Sequence, residues 1–162
     1  MSQLELLPKP LTCKQIQHAL FEAYHKGGSV VVPNCCALTH EADVLVLRKT
    51  GYVAEYEVKV SRADFKADFR KLSKHDFLKA GHQWCANEFW FACEEGLIQL
   101  DEVPEYAGLI YIVQHRYQYP GSDTWYCKNV AVVQKKAPRI HKTIHKNLVH
   151  KLAISLMYKA FT

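Results

Sequence analysis

Two runs with strand periodicity, residues 42–47 and 52–60, flank the tripeptide Lys49-Thr50-Gly51. This arrangement restricts the middle of the chain to a tight antiparallel hairpin. Three-residue hairpin loops commonly combine a type I turn with a residue in the left-handed region, usually glycine, and Gly51 stands at that place. With Lys49-Thr50-Gly51 as the loop, Arg48 faces Tyr52, and counting back sets Asp43 opposite Glu57. Directly opposed residues share a face, with Cβ atoms about 5 Å apart. Lys59, two residues beyond Glu57, points the same way. Val44 and Val46 with Tyr56, Val58 and Val60 form an apolar core face, and Asp43, Leu45, Leu47, Glu55, Glu57 and Lys59 form the other.

Two carboxylates held that close repel unless a cation or a proton lies between them. Mg²⁺ or Mn²⁺, hard ions that prefer oxygen ligands, suit such a place. The expected ligands are Asp43, Glu57, the backbone carbonyl of Val58, waters and a phosphate oxygen. A bound water would become a nucleophile at neutral pH, and Lys59 would orient it or offset charge developing on the phosphate. Glu22, on the first helix, is a candidate third carboxylate, and Glu41 is placed to support Asp43 from behind. The simpler alternative is a surface ion pair between Lys59 and Asp43 or Glu57.

Ser61 is positioned to cap a helix over residues 62–79, on which Arg62, Lys66, Arg70 and Lys74 recur every fourth residue as a basic stripe. Such a stripe directly after the acidic strand suits contact with a phosphate backbone. Asp64 and Asp68 offer it ordinary helical ion pairs instead. Residues 1–123 carry a net charge of −3, whereas residues 124–162 carry eight Lys or Arg and no acid. That asymmetry points to a polyanionic partner, with Lys142 and Lys146 as candidate contacts on a final helix expected from Pro138 to about Ala160.

Elsewhere, Thr12-Cys13-Lys14-Gln15 fits a capping box ahead of a helix that ends at Gly27-Gly28. Residues 29–38, 87–93 and 108–113 read as strands, and residues 117–127 as a hairpin turning at Pro120-Gly121. Tyr117, Tyr119, Trp125 and Tyr126 either pack on a strand face or stack bases. The six cysteines form no C-x-x-C pair and are expected to be free thiols. With 162 residues, no apolar run near the ~20 needed to span a membrane and no signal pattern, the chain is expected to be one cytoplasmic domain without membrane association. Its core would cover about residues 11–113, with a basic extension over 114–162.

The segments Glu41-Ala42-Asp43-Val44-Leu45-Val46-Leu47 and Glu55-Tyr56-Glu57-Val58-Lys59-Val60-Ser61-Arg62-Ala63-Asp64-Phe65-Lys66-Ala67-Asp68 resemble the PD-(D/E)XK nuclease superfamily. Within it the chain is most similar to the MmcB-like DNA-repair nucleases, which carry A-D-V and then E-V-K followed by S-x-x-D-F-x-x-D. The resemblance spans about Ala42 to Ile110. It implies an α/β, restriction-endonuclease-like αβββαβ core with a mixed central sheet flanked by helices. It also implies Asp43, Glu57 and Lys59 as catalytic residues, and Glu22 as the first-helix acid that some members add. Ala42 stands where the signature has proline, and the segment after Asp123 has no counterpart; it would add a hairpin and a basic helix, for nucleic-acid contact or homodimerisation.

The expected activity is therefore metal-dependent hydrolysis of DNA phosphodiester bonds in repair or processing, with RNA also compatible. The alternatives are a non-catalytic nucleic-acid-binding module on the same fold, and an interaction protein whose basic last helix docks an acidic partner.

Overall fold

A computed structural model describes residues 9–161. Helix α1 (Cys13–Tyr24) starts at the expected capping box: Thr12 Oγ1 accepts from the Gln15 N–H, and Gln15 Oε1 from the Thr12 N–H. Its Ile16, Ala19 and Leu20 are buried. A short 3₁₀ turn follows, and Gly28 closes it at φ 75°.

Strands β1 (Val30–Cys35), β2 (Ala42–Leu47) and β3 (Val53–Lys59) form an antiparallel meander. The hairpin register is the one expected. The Arg48 N–H donates to Tyr52 O, the Gly51 N–H donates to Arg48 O, and Gly51 has φ 83°. Registered pairs run from Leu47 opposite Val53 to Val44 opposite Tyr56, one step short of Asp43 and Glu57.

After helices α2 (Arg62–Asp68) and α3 (Leu72–Lys79), strand β4 (Glu88–Glu94) joins β3 in parallel, and β5 (Ala107–Gln118) joins β4 in parallel. Strand β6 (Trp125–Lys135) returns antiparallel to β5, and helix α4 (Leu148–Phe161) ends the described chain. The molecule is thus α/β, with one six-stranded mixed sheet in sequential order and four α-helices among the described residues.

Both faces of the sheet are covered. Helix α1 packs on Val44, Val46, Tyr56 and Val58. The opposite face meets α2 and α3 through Phe65 and Leu78 near Phe89 and Phe91, and α4 through Leu148 and Leu152 near Leu45 and Leu47. Val60, expected in the core, lies past the end of β3 and is exposed. All six cysteines are free. No helix among the described residues is long and apolar enough to cross a membrane.

Three expectations need correction. The helix over 62–79 is broken at Phe69–Lys71, where Arg70 and Lys71 donate to carbonyls only three residues back and Lys71 leaves the helical region at ψ 64°. No glycine or proline marks the break. His75 Nε2 secures it by contacting both the carbonyl and the carboxylate of Asp68. The last helix begins at Leu148, not after Pro138. The intervening backbone is fastened to Asn87, whose Nδ2 donates to His141 O and Thr143 O and whose carbonyl accepts from the Ile140 N–H. Finally, residues 108–113 and the first arm of the expected hairpin are one strand, β5. The basic segment is woven into the sheet through β6, and Ala137, Leu148 and Leu152 are buried.

Candidate active site

Strand alternation puts Glu55, Glu57 and Lys59 on the β3 face that α2 and α3 cover. Glu57 is 4% exposed and Lys59 3%, so this is no surface ion pair. Every oxygen of Glu57 meets an ammonium: Oε1 lies 3.0 Å from Lys59 Nζ and 3.3 Å from Lys71 Nζ, and Oε2 lies 2.5 Å from Lys74 Nζ. Lys74 also approaches Glu55 at 3.4 Å.

Asp68, at the end of α2, is the second anionic centre. Its Oδ1 is 3.1 Å from both Lys59 and Lys71, and Oδ2 is 2.9 Å from His75 Nε2. His75 Nδ1 is 2.8 Å from the Tyr106 hydroxyl. With the proton on Nε2, the imidazole donates to Asp68 and accepts from Tyr106, so one neutral tautomer satisfies both contacts. The break between α2 and α3 turns Asp68, Lys71, Lys74 and His75 together toward Glu57.

Burying ions costs several kcal/mol each (about that much even after relaxation) unless each is paired, and the cluster shows which pairs compensate. Burial alone would raise the Asp68 carboxyl. The His75 contact and the Lys74 and Lys59 charges outweigh it and hold Asp68 well below the usual carboxylate range. Burial would lower the Lys71 and Lys74 ammoniums, but their acidic neighbours push both up. Glu55 is the exception: burial dominates over the Lys74 charge and raises its carboxyl to about 7.

Asp43 closes the site at the end of β2. Its Oδ2 accepts from the Val58 N–H at 2.7 Å, so the side chain takes over where the β2–β3 ladder stops. Val58 thus enters as a backbone donor to Asp43. The Asp43 carboxyl is raised by burial and by the charge of Glu57, against the Val58 hydrogen bond. That repulsion is what a carboxylate pair poised for a hard cation would show. The pair is only part of a coordination sphere, however. Among the described residues, no group of three or more His, Cys, Asp or Glu is arranged to hold a metal ion. A divalent ion at Asp43 and Glu57 would compete with the lysines for Glu57.

The remaining expected residues are scattered. Glu22 pairs with Lys26 at 3.9 Å on its own helix. Helix α1 meets Asp43 through Gln17, whose Nε2 donates to the Asp43 carbonyl at 2.9 Å, and Cys13 also lies within reach of the acids, its thiol raised by burial and then by the charges of Asp43, Asp64 and Glu57. Glu22 lies five residues beyond Gln17 on the same helix, and its ion pair is with Lys26, not with the carboxylate pair. Glu41 is exposed. Arg62 is engaged by Glu102 through two contacts of 2.5 Å. Lys66 and Arg70 are exposed, whereas Lys74 is buried, so the four residues do not form one basic stripe. Lys142 and Lys146 are exposed on the segment fastened to Asn87. Asn87 adjoins Val53, at the opposite end of β3 from Lys59.

Sequence reasoning did not assign Glu55, Asp68, Lys71 or His75 to the site. Asp68 and His75, seven residues apart, share a helical face, which was the available signal. His40 was also missed. It stands three residues before Asp43, its Nε2 is buried without a hydrogen-bond partner, and its imidazole is lowered by burial and by the Lys74 and Lys71 charges. Asp43 is half-buried and the Lys71 side chain is 57% exposed, so the cluster opens to solvent on that side.

No family model and no curated protein matches the chain. Among solved structures, the chain is similar to SPO1766, a protein of unknown function from Silicibacter pomeroyi, at a TM-score of 0.64 and 18% identity, covering 94% of this chain and 90% of that one. At that identity the likeness concerns the fold alone.

Proposed function

We propose that the chain hydrolyses phosphodiester bonds in DNA with a divalent metal, on a restriction-endonuclease-like core. The observation that carries this reading is the convergence of Asp43 and Glu57 at the open end of the β2–β3 hairpin, with buried Lys59 at 3.0 Å from Glu57. The element order, one helix, three strands, a helical crossover and a parallel strand, agrees with the αβββαβ order that the sequence resemblance implies. Mg²⁺ or Mn²⁺ held by Asp43 and Glu57 would supply a Lewis acid for the phosphate and a more acidic water.

The chain's own residues define the rest. Lys71, at the mouth, is the first cation an incoming phosphate meets. Lys59 is held between Glu57 and Asp68, so its charge is fixed in place and costs no reorganisation as negative charge grows on the phosphate. Asp68 is itself held by His75, which Tyr106 contacts in turn, and this makes the three positioning residues for Lys59.

A second reading has its own support: Glu57 is already neutralised by three lysines, which favours a nucleic-acid-binding module that does not cut. Incubating the protein with single-stranded, nicked, branched and duplex DNA in Mn²⁺ separates the two. Cleavage that disappears in Asp43→Asn and in Lys59→Ala supports hydrolysis. DNA binding without cleavage, unchanged in Asp43→Asn, selects the binding module.

A further inference from the structure

The last registered pair between β4 and β5 is Glu94 with Ile112. From Val113 onward β5 pairs only with β6, through Gln118 opposite Trp125, so a two-stranded arm projects beyond the sheet. It leaves from the end of the sheet where the candidate site lies, because Lys59, Cys93 and Tyr111 are in register across β3, β4 and β5.

Strand alternation gives the arm two faces. Tyr111, Val113, His115 and Tyr117 follow one another along β5 on the face that also carries Glu57 and Lys59, and Tyr119 stands just past the strand. Across the ribbon, Lys128 stands opposite His115 and Tyr126 opposite Tyr117. Tyr117 and Tyr126 stack, with centroids 5.6 Å apart and planes at 22°, and Tyr119 meets them edge-on at 5.5 and 5.3 Å. These cross-strand contacts stabilise the ribbon, yet they leave Tyr117 39%, Tyr119 58% and Tyr126 40% exposed. Asp123 is the single acid between Val113 and Val130; Lys128 shares the tyrosine face, and Arg116, by strand alternation, lies on the reverse face of the ribbon. Aromatic faces flanked by cations and poor in acids are the features that hold single strands, through base stacking and phosphate attraction.

We propose that this tyrosine face is a docking surface for single-stranded DNA, with unpaired bases stacking on Tyr117, Tyr119 and Tyr126 and Lys128 beside the backbone. The choice of DNA rests on the proposed hydrolysis; the stacking surface itself rests on the arm.

The test is fluorescence anisotropy of a labelled twelve-residue oligo(dT) in EDTA, where no cleavage competes, with wild type, Tyr117→Phe/Tyr126→Phe and Tyr117→Leu/Tyr126→Leu. Stacking predicts that the double Phe variant binds within about twofold of wild type and the double Leu variant at least about tenfold more weakly. Wild-type binding that matches the double Leu variant, equal loss in both variants, a blunt duplex bound as tightly as oligo(dT), or no binding by wild type would each overturn the proposal. Cleavage in Mn²⁺ is read separately: binding with this pattern and no cleavage keeps the arm and removes the hydrolysis. Cleavage with unchanged KM in the double Leu variant does the reverse.

Discussion

Lys59 Nζ lies 3.1 Å from Asp68 Oδ1, with both side chains buried, and this contact joins the end of β3 to the end of α2. Asp68→Ala would leave Lys59, Lys71 and His75 facing one carboxylate fewer. Removing one member of a buried charge cluster costs roughly 3–5 kcal/mol, and chemical denaturation should show a loss near that size. Since the Asp68 carboxyl is depressed in the folded protein, its contribution is present above the unfolded carboxylate range, about pH 4, and is lost as pH falls further. Acid unfolding of Asp68→Asn should therefore begin from a lower plateau and fall less steeply than that of wild type.

Glu55 has the opposite dependence. Its carboxyl is raised from 4.5 to about 7, so between those values the folded state holds a proton that the unfolded state has released. Stability attributable to this group declines as pH rises through that window, by roughly 3 kcal/mol in total. Glu55→Gln keeps the shape and removes the ionisation. It should be more stable than wild type at pH 8 and nearly equal at pH 4.5, as urea midpoints at the two pH values would show.

The lysine shell around Glu57 makes metal affinity adjustable. Lys74 Nζ, 2.5 Å from Glu57 Oε2, is the strongest competitor for a cation there. Lys74→Met retains the aliphatic stem and removes the charge. Titration calorimetry should show Mn²⁺ binding at least about tenfold tighter than in wild type, since a unit charge at contact distance is worth more than that factor in a partly desolvated site. The gain should vanish when Asp43→Asn is added. Equal Mn²⁺ affinity in wild type and Lys74→Met would separate the cation from Glu57.

The legible part of this molecule is the part written in local chemistry. Thr12 and Gln15 announce α1, Gly51 announces the hairpin turn, and the turn sets the register that places Asp43 by Glu57. What was not legible depends on contacts distant in sequence. The break between α2 and α3 follows no breaker residue; it follows the attraction of Asp68, Lys71 and Lys74 to charges on β3. Burial of Glu55 and Lys59 likewise depends on α2 and α3 folding over β3, which periodicity on one strand does not convey. The same holds for the delayed start of α4: a helix was expected from Pro138, but the buried Asn87, just ahead of β4, bonds the backbone of Ile140, His141 and Thr143 instead.

Asn87 is fully buried at the entrance to β4. Its Oδ1 accepts from the Val53 N–H at 2.9 Å, while Nδ2 donates to His141 O at 3.1 Å and Thr143 O at 2.9 Å. One side chain thus ties β3 to the segment that delivers α4. Asn87→Ala strands a buried N–H on Val53 and two carbonyls, and an unsatisfied buried group costs about 1–3 kcal/mol. The expected loss is about 3 kcal/mol, since the carbonyls gain access to water once the segment loosens. Hydrogen exchange distinguishes this from a general destabilisation: amides of residues 140–152 should lose protection well before those of β3 and β4, because α4 is held on the sheet by Leu148 and Leu152 only while the preceding backbone is fastened. Uniform loss of protection across the sheet would show that Asn87 supports the fold as a whole and does not act as the fastener of α4.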